Sequence, residues 1–335
     1  MSRRSRRSKR RLNSLSMTLV LTGMLLLSST YAWFSANKEV ALEGINAKVV
    51  AAEGLQISLD GEAWSSKITI NQTTLAAAAS NNFKWPTALV PVSTTGATTS
   101  GNMDMYYGDV SADGSQLTNA AKEADSTTTK YIVFDLYFKN SSSQATDILQ
   151  LNNGTSVAIA ADGKTGTGLE NSVRSAVVLY ENTELMTASG EDIRKIAAGT
   201  PKVCIWEPNY NQHIAEVVKN DSTRITASTS EFVTLGLKSV GDGTVTGVNA
   251  ATVDESNAFM AEQKTLRTAA SVTGAVNMPN LGSASDNLLL KQNSVMKARV
   301  YIWLEGQDPD CIDTASTGKS IDIVLGFTKP AVENT

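Results

Sequence analysis

The chain has 335 residues, 41% hydrophobic and 19% charged, with 29 Lys and Arg against 33 Asp and Glu. Seven of those cations and no acid lie within residues 1–32, so the remainder holds 22 basic and 33 acidic residues, a net charge of −11. An acidic body argues against nucleic acid or an anionic membrane surface as partner, and a single histidine rules out an HExxH zinc helix or a His-rich metal site.

The N-terminus is cationic (Arg3, Arg4, Arg6, Arg7, Lys9, Arg10, Arg11), and Leu15–Leu27 follows as an apolar run. Thr30 and Ala32 then set small residues at −3 and −1 of a cleavage site before Trp33. This pattern predicts a signal peptide over 1–32, removed by a signal peptidase, and an extracellular domain over 33–335. The alternative is an uncleaved anchor, because the 20 residues Leu15–Phe34 carry no charge and match a marginal membrane span. Either way the basic end stays inside and the body is secreted or held at the cell surface, touching membrane only through the leader.

Beyond the leader the periodicity is mostly two. In Val40–Val50, Val40 and Leu42 share one parity and Ile45, Ala47 and Val49 the other; Gly44 between them is a candidate bulge that restores the apolar face. Leu55–Leu59 and Ser66–Ile70 read as strands around Asp60-Gly61, a hairpin cue. Thr74–Ser80 reads as a short helix, Ala88–Val92 as a strand and Thr94–Gly101 as a loop. Asp109–Gly114 opens like a calcium loop, but Ala120 stands where the bidentate carboxylate belongs, which leaves a solvated turn.

The clearest strand is Lys130–Asn140, with Ile132, Phe134, Leu136 and Phe138 on one face and Tyr131, Val133, Asp135, Tyr137 and Lys139 on the other. After a Ser141–Thr146 loop, a helical turn is expected at Gly168–Val173 and strands at Ala176–Tyr180, Lys202–Trp206 and Glu231–Leu237. Val240–Thr252 reads as a loop and Glu255–Arg267 as a helix. Met296–Leu304 alternates like the Lys130–Asn140 strand, and Ile321–Phe327 follows suit near the end.

Little chemistry is encoded between these strands. His213 sits in a polar loop, and neither a Gly-x-Ser-x-Gly motif nor a P-loop occurs, so the chain is not expected to be an enzyme. Glu305, Asp308, Asp310 and Asp313 crowd one turn; such carboxylates repel unless a cation or backbone N–H groups relieve them, which makes them a weak calcium candidate. No other cofactor is expected. Cys204 and Cys311 are candidates for one disulfide in an exported protein, the alternative being two buried thiols.

At least ten strands and little helix predict an all-β, mainly antiparallel fold. The expected form is a jelly-roll-like β-sandwich with long loop insertions and one or two short helices. A split into two domains near residue 165 is the alternative.

The junction Ser29-Thr30-Tyr31-Ala32-Trp33-Phe34-Ser35 resembles the SipW-type leader junction of the TasA/camelysin family, exported proteins of Gram-positive bacteria. The resemblance extends to Lys48–Ser58, and Tyr301–Cys311 is similar to a segment of clostridial surface proteins with such leaders. It implies a jelly-roll subunit of extracellular matrix fibres, in which the N-terminal strand of one subunit completes the sheet of the next. The metalloprotease label attached to that family does not carry over, since the histidines are missing.

The expected function is therefore structural: a cell-surface or biofilm-matrix protein that associates with itself or with other surface proteins, using Val40, Leu42, Ile45, Ala47 and Val49 as assembly strand. The alternative is a surface adhesin tethered by an uncleaved N-terminal helix, binding through Ser/Thr-rich loops and aromatics such as Trp85, Tyr106, Tyr107 and Trp206.

Overall fold

A computed structural model describes residues 44–51, 54–110, 117–123, 130–141, 146–151, 155–161, 170–206, 236–241, 244–248, 289–308, 310–311 and 320–328. The leader with Thr30, Ala32 and Trp33 lies outside the described residues, as do Val40, Leu42, His213, the 255–267 segment and Asp313.

Along the described residues run β1 (Gly44–Ala51), β2 (Leu55–Ser58), β3 (Lys67–Ile70), α1 (Gln72–Ala77), β4 (Ser93–Thr99), β5 (Asn102–Val110), β6 (Leu117–Lys122) and β7 (Ile132–Asn140). Next come β8 (Thr146–Ile148), β9 (Gln150–Leu151), β10 (Ser156–Ile159), β11 (Val173–Leu185), α2 (Gly190–Arg194) and β12 (Lys202–Trp206). The last are β13 (Gly236–Gly241), β14 (Thr244–Val248), β15 (Leu289–Lys291), β16 (Ser294–Leu304) and β17 (Ser320–Thr328). The fold is all-β and mainly antiparallel.

Two five-stranded sheets face each other. One has the order β12-β11-β16-β7-β2; the other runs β10-β17-β1-β3, with β9 also on β17. The period-two stripes meet between them. Phe134, Leu136 and Phe138 of β7 and Ala298, Val300 and Ile302 of β16 share a core with Ala47 and Val49 of β1 and Ile323 and Leu325 of β17. Phe138 meets Phe327 edge-on at 4.8 Å between ring centres, a favoured aromatic geometry. Both sheets combine strands from either side of residue 165, so a division there would sever both.

The alternation predicts one apolar face per strand, yet the β7–β16 sheet is buried on both faces; all eleven residues of β16 are closed to solvent. A third sheet, β4-β5-β6, and helix α2 account for this. Met103, Met105, Ile193 and Ile196 form a second core with Val133, Tyr137, Tyr301 and Trp303. Most of the expected Thr94–Gly101 loop is strand β4: Ser and Thr are compatible with a pleated ladder once a partner strand is present.

Other departures are local. Gly61 takes the positive φ (+74°) expected of the turn, but the hairpin is reduced to an Ile57–Ser65 bridge because β2 joins one sheet and β3 the other. Ala88–Val92 forms no strand; Val92 bridges Glu305 in parallel. Val240–Thr252 contains β14, paired with β13. Residues 170–172 are turn and bend, not helix. Helix α1 starts, as capping chemistry directs, where Asn71 Oδ1 accepts from Thr74 N–H and Thr74 Oγ1 from Asn71 N–H.

Candidate functional site

Three sequence-derived candidates are placed by the fold: the first strand, the carboxylate turn and the cysteine pair. Strand β1 lies inside its sheet, parallel to β17 and antiparallel to β3. Its register with β17 runs unbroken from Gly44↔Ser320 to Ala51↔Phe327, while the residues before Gly44, against which a bulge would show, lie outside the described residues. Ala47, Val49 and Ala51 are buried in the core, with Ile45 packed against it; Asn46 lies on the open face and donates to Asp322 Oδ1 at 2.9 Å. Lys48 lies near Lys67 of β3, and that neighbouring cation holds its pKa below the ordinary lysine value.

In the carboxylate turn, Glu305, Asp308 and Asp310 are described and Asp313 lies outside the described residues. Asp308 pairs with the guanidinium of Arg174 at 2.6 Å, with both side chains buried, and its other oxygen accepts from Asp310 N–H at 2.8 Å. Glu305 accepts from Trp303 Nε1–H at 3.1 Å and from Gln307 N–H at 3.0 Å. The mutual repulsion is thus relieved by an internal guanidinium and by N–H donors, and no group of three ligating side chains converges among the described residues. Burial, opposed by Arg174 and by these donors, pushes the Glu305 pKa up to about 7. The sequence reading missed Arg174, which sits 131 residues before Glu305; only the β11–β16 pairing brings them together.

No disulfide joins the cysteines; both are buried thiols. Cys204 lies in β12 opposite Val177, whereas Cys311 follows the carboxylate turn, its N–H donating to Asp308 C=O at 2.9 Å. Each is fixed by its own ladder or turn. Burial first, then the charges of Asp308 and Glu305, push the Cys311 thiol far above its ordinary value.

The second core holds a charged network absent from the sequence reading. Asp135 lies between Arg299 Nε at 2.8 Å and Lys297 Nζ at 3.0 Å, all three nearly closed to solvent. Arg299 also donates to Asn102 Oδ1 on β5, tying the third sheet to the second face of β16. Burial alone would lower the Arg299 pKa, but the Asp135 charge and hydrogen bond outweigh it and hold the guanidinium protonated. Met103 N–H donates to Tyr301 Oη at 3.0 Å, and burial raises that phenol to about 12. Beside this network opens a cavity of about 540 Å³. The alternating Asp135 and Arg299 were visible as polar positions; the covering strands that enclose them were not.

No family model, curated protein or solved structure matches this chain.

Proposed function

We propose that this chain is an exported structural protein of a bacterial cell surface or extracellular matrix, and that it joins copies of itself through β1. The single observation that carries the reading is the lodging of β1. It is held on both edges by main-chain ladders, with alternate apolar anchors in the core, and it is the first element of the described chain. A strand held this way is the unit of recognition by strand addition: backbone bonds supply affinity and alternate pockets supply register. The same slot between β17 and β3 accepts β1 from its own subunit or from the next one. Cleavage after Ala32 would free Trp33–Glu39 as a lead into that strand. The sandwich is of jelly-roll type in this reading, and self-association needs no catalytic group.

The test places cysteines at Lys48 and Thr69, which face each other across β1 and β3. Filaments of the exported double variant, oxidised after assembly, are expected to give a covalent ladder on a denaturing gel. Oxidation before assembly is expected to lock monomers and abolish filaments. Filaments that yield only internally bonded monomers, or no filaments at all by negative-stain microscopy, would overturn the proposal. N-terminal sequencing of the same material reads the cut at Ala32.

A further inference from the structure

Strand β3 ends its sheet: β1 lies on one side of it, and no strand pairs with the other side among the described residues. Such an edge offers N–H and C=O groups to any second chain, a common route to unwanted pairing. The register fixes which groups those are. Ala51 N–H donates to Ser66 C=O at 2.8 Å, so Ser66, Ile68 and Ile70 turn their main-chain groups toward β1. Ser65, Lys67 and Thr69 turn theirs outward.

These outward groups are closed from within the chain. Ser65 exchanges both main-chain bonds with Ile57 of β2, at 2.8 and 2.9 Å. Its hydroxyl then reaches two residues forward: Oγ accepts from Lys67 N–H at 3.2 Å and donates to Lys67 C=O at 2.9 Å. Helix α1 brings Thr74 back to the same edge, anchored by the fully buried Leu75. Thr74 Oγ1 donates to Thr69 C=O at 2.9 Å, sharing its proton with Asn71 C=O at 3.0 Å. Thr69 N–H is then the one outward group of Ser65, Lys67 and Thr69 without a partner among the described residues. Charge adds to the closure. The exposed Lys67 stands beside Lys48 of β1, so two copies meeting edge to edge would set lysine against lysine.

We infer that β3 is a sealed edge, closed by Ser65, Lys67 and Thr74 against pairing with a second copy of this chain. An incoming strand has to break bonds already made inside the chain before it can form its own, so edge pairing gains little. The seal governs lateral contact only. The slot that holds β1 lies on the other side of β3, so strand exchange through β1 stays open. The inference does not depend on that exchange, and either claim can fail without the other.

The test removes the seal by combining Ser65→Ala, Lys67→Thr and Thr74→Val in one chain. Analytical ultracentrifugation and amide hydrogen exchange at Thr69 then compare it with the wild type. The unsealed variant is expected to self-associate about tenfold more tightly or better. Its Thr69 N–H is expected to exchange about tenfold or more slowly in the associated form, because a carbonyl of the second copy covers it. If that variant fails to fold, Ser65→Ala with Lys67→Thr, which leaves the cap of α1 intact, carries the same expectations. Wild-type filaments built through β1 are expected to leave Thr69 N–H exchanging freely. The inference is overturned by folded unsealed variants that associate no more tightly than the wild type, or whose association leaves Thr69 N–H unprotected. It is equally overturned by wild-type assemblies in which Thr69 N–H is protected.

Discussion

Arg174 and Asp308 form a 2.6 Å ion pair, Nη2 to Oδ2, with neither side chain more than 4% exposed. The pair fastens the start of β11 to the turn after β16. Arg174 Nη1 also donates to the carbonyls of Asn171 and Val173, at 2.7 and 3.1 Å, so the guanidinium closes the end of the sheet as well as neutralising the turn. Removing one partner of such a pair leaves the other charge buried, at a cost of about 3–5 kcal/mol. Asp308→Ala is therefore expected to lower the urea midpoint strongly. Arg174→Met with Asp308→Leu should cost less than Asp308→Ala alone. A double variant worse than the single one would show that the carbonyl contacts dominate.

Glu305 gives the fold a specific pH dependence. Its pKa rises from the ordinary 4.5 to about 7 on folding, because burial disfavours the charged form. The folded state then holds a proton that the unfolded state has lost. Its favourable contribution is complete below pH ~4.5 and declines as pH rises to about 7, by up to roughly 3 kcal/mol. Unfolding free energies measured between pH 4.5 and 8 should show this decline in the wild type. In Glu305→Gln the decline from this group should be absent. An equal slope in both proteins would assign the dependence to other groups.

Two glycines are irreplaceable for steric reasons. Gly61 has φ +74°, and a Cβ there would stand 2.7 Å from Ile193 Cγ2; Gly101 has φ +80°, and its Cβ would stand 2.6 Å from Ala198 Cβ. Either substitution to alanine combines a left-handed backbone with a clash, a cost of about 1–3 kcal/mol. Gly306, with ordinary φ and 3.4 Å of space to Pro91 Cβ, should accept alanine with little loss. Chemical denaturation of the three variants checks the order.

The sequence makes the main core legible and the second core illegible. Ile132, Phe134, Leu136 and Phe138 announce their face because alternation is a local property of one strand. Tyr137, Lys297 and Arg299 look like an open face because what covers them, β4, β5 and α2, is distant in sequence and built partly from residues that read as loop. The carboxylate turn stands out locally by its charge crowding, whereas the guanidinium that pairs with it, Arg174, comes from another strand and has no local signal.

The two thiols provide the last prediction. Cys204 and Cys311 are buried at 2% and 7% exposure, and burial and nearby carboxylates keep the Cys311 sulfur protonated. Since the thiolate is the reactive form, a soluble thiol reagent should label neither residue in the native protein. Both should titrate once the chain is unfolded in denaturant without reductant. A count of zero thiols under those conditions would mean that the protein carries the bridge after all. A count of two would mean that the thiols stay unpaired, as in the structure.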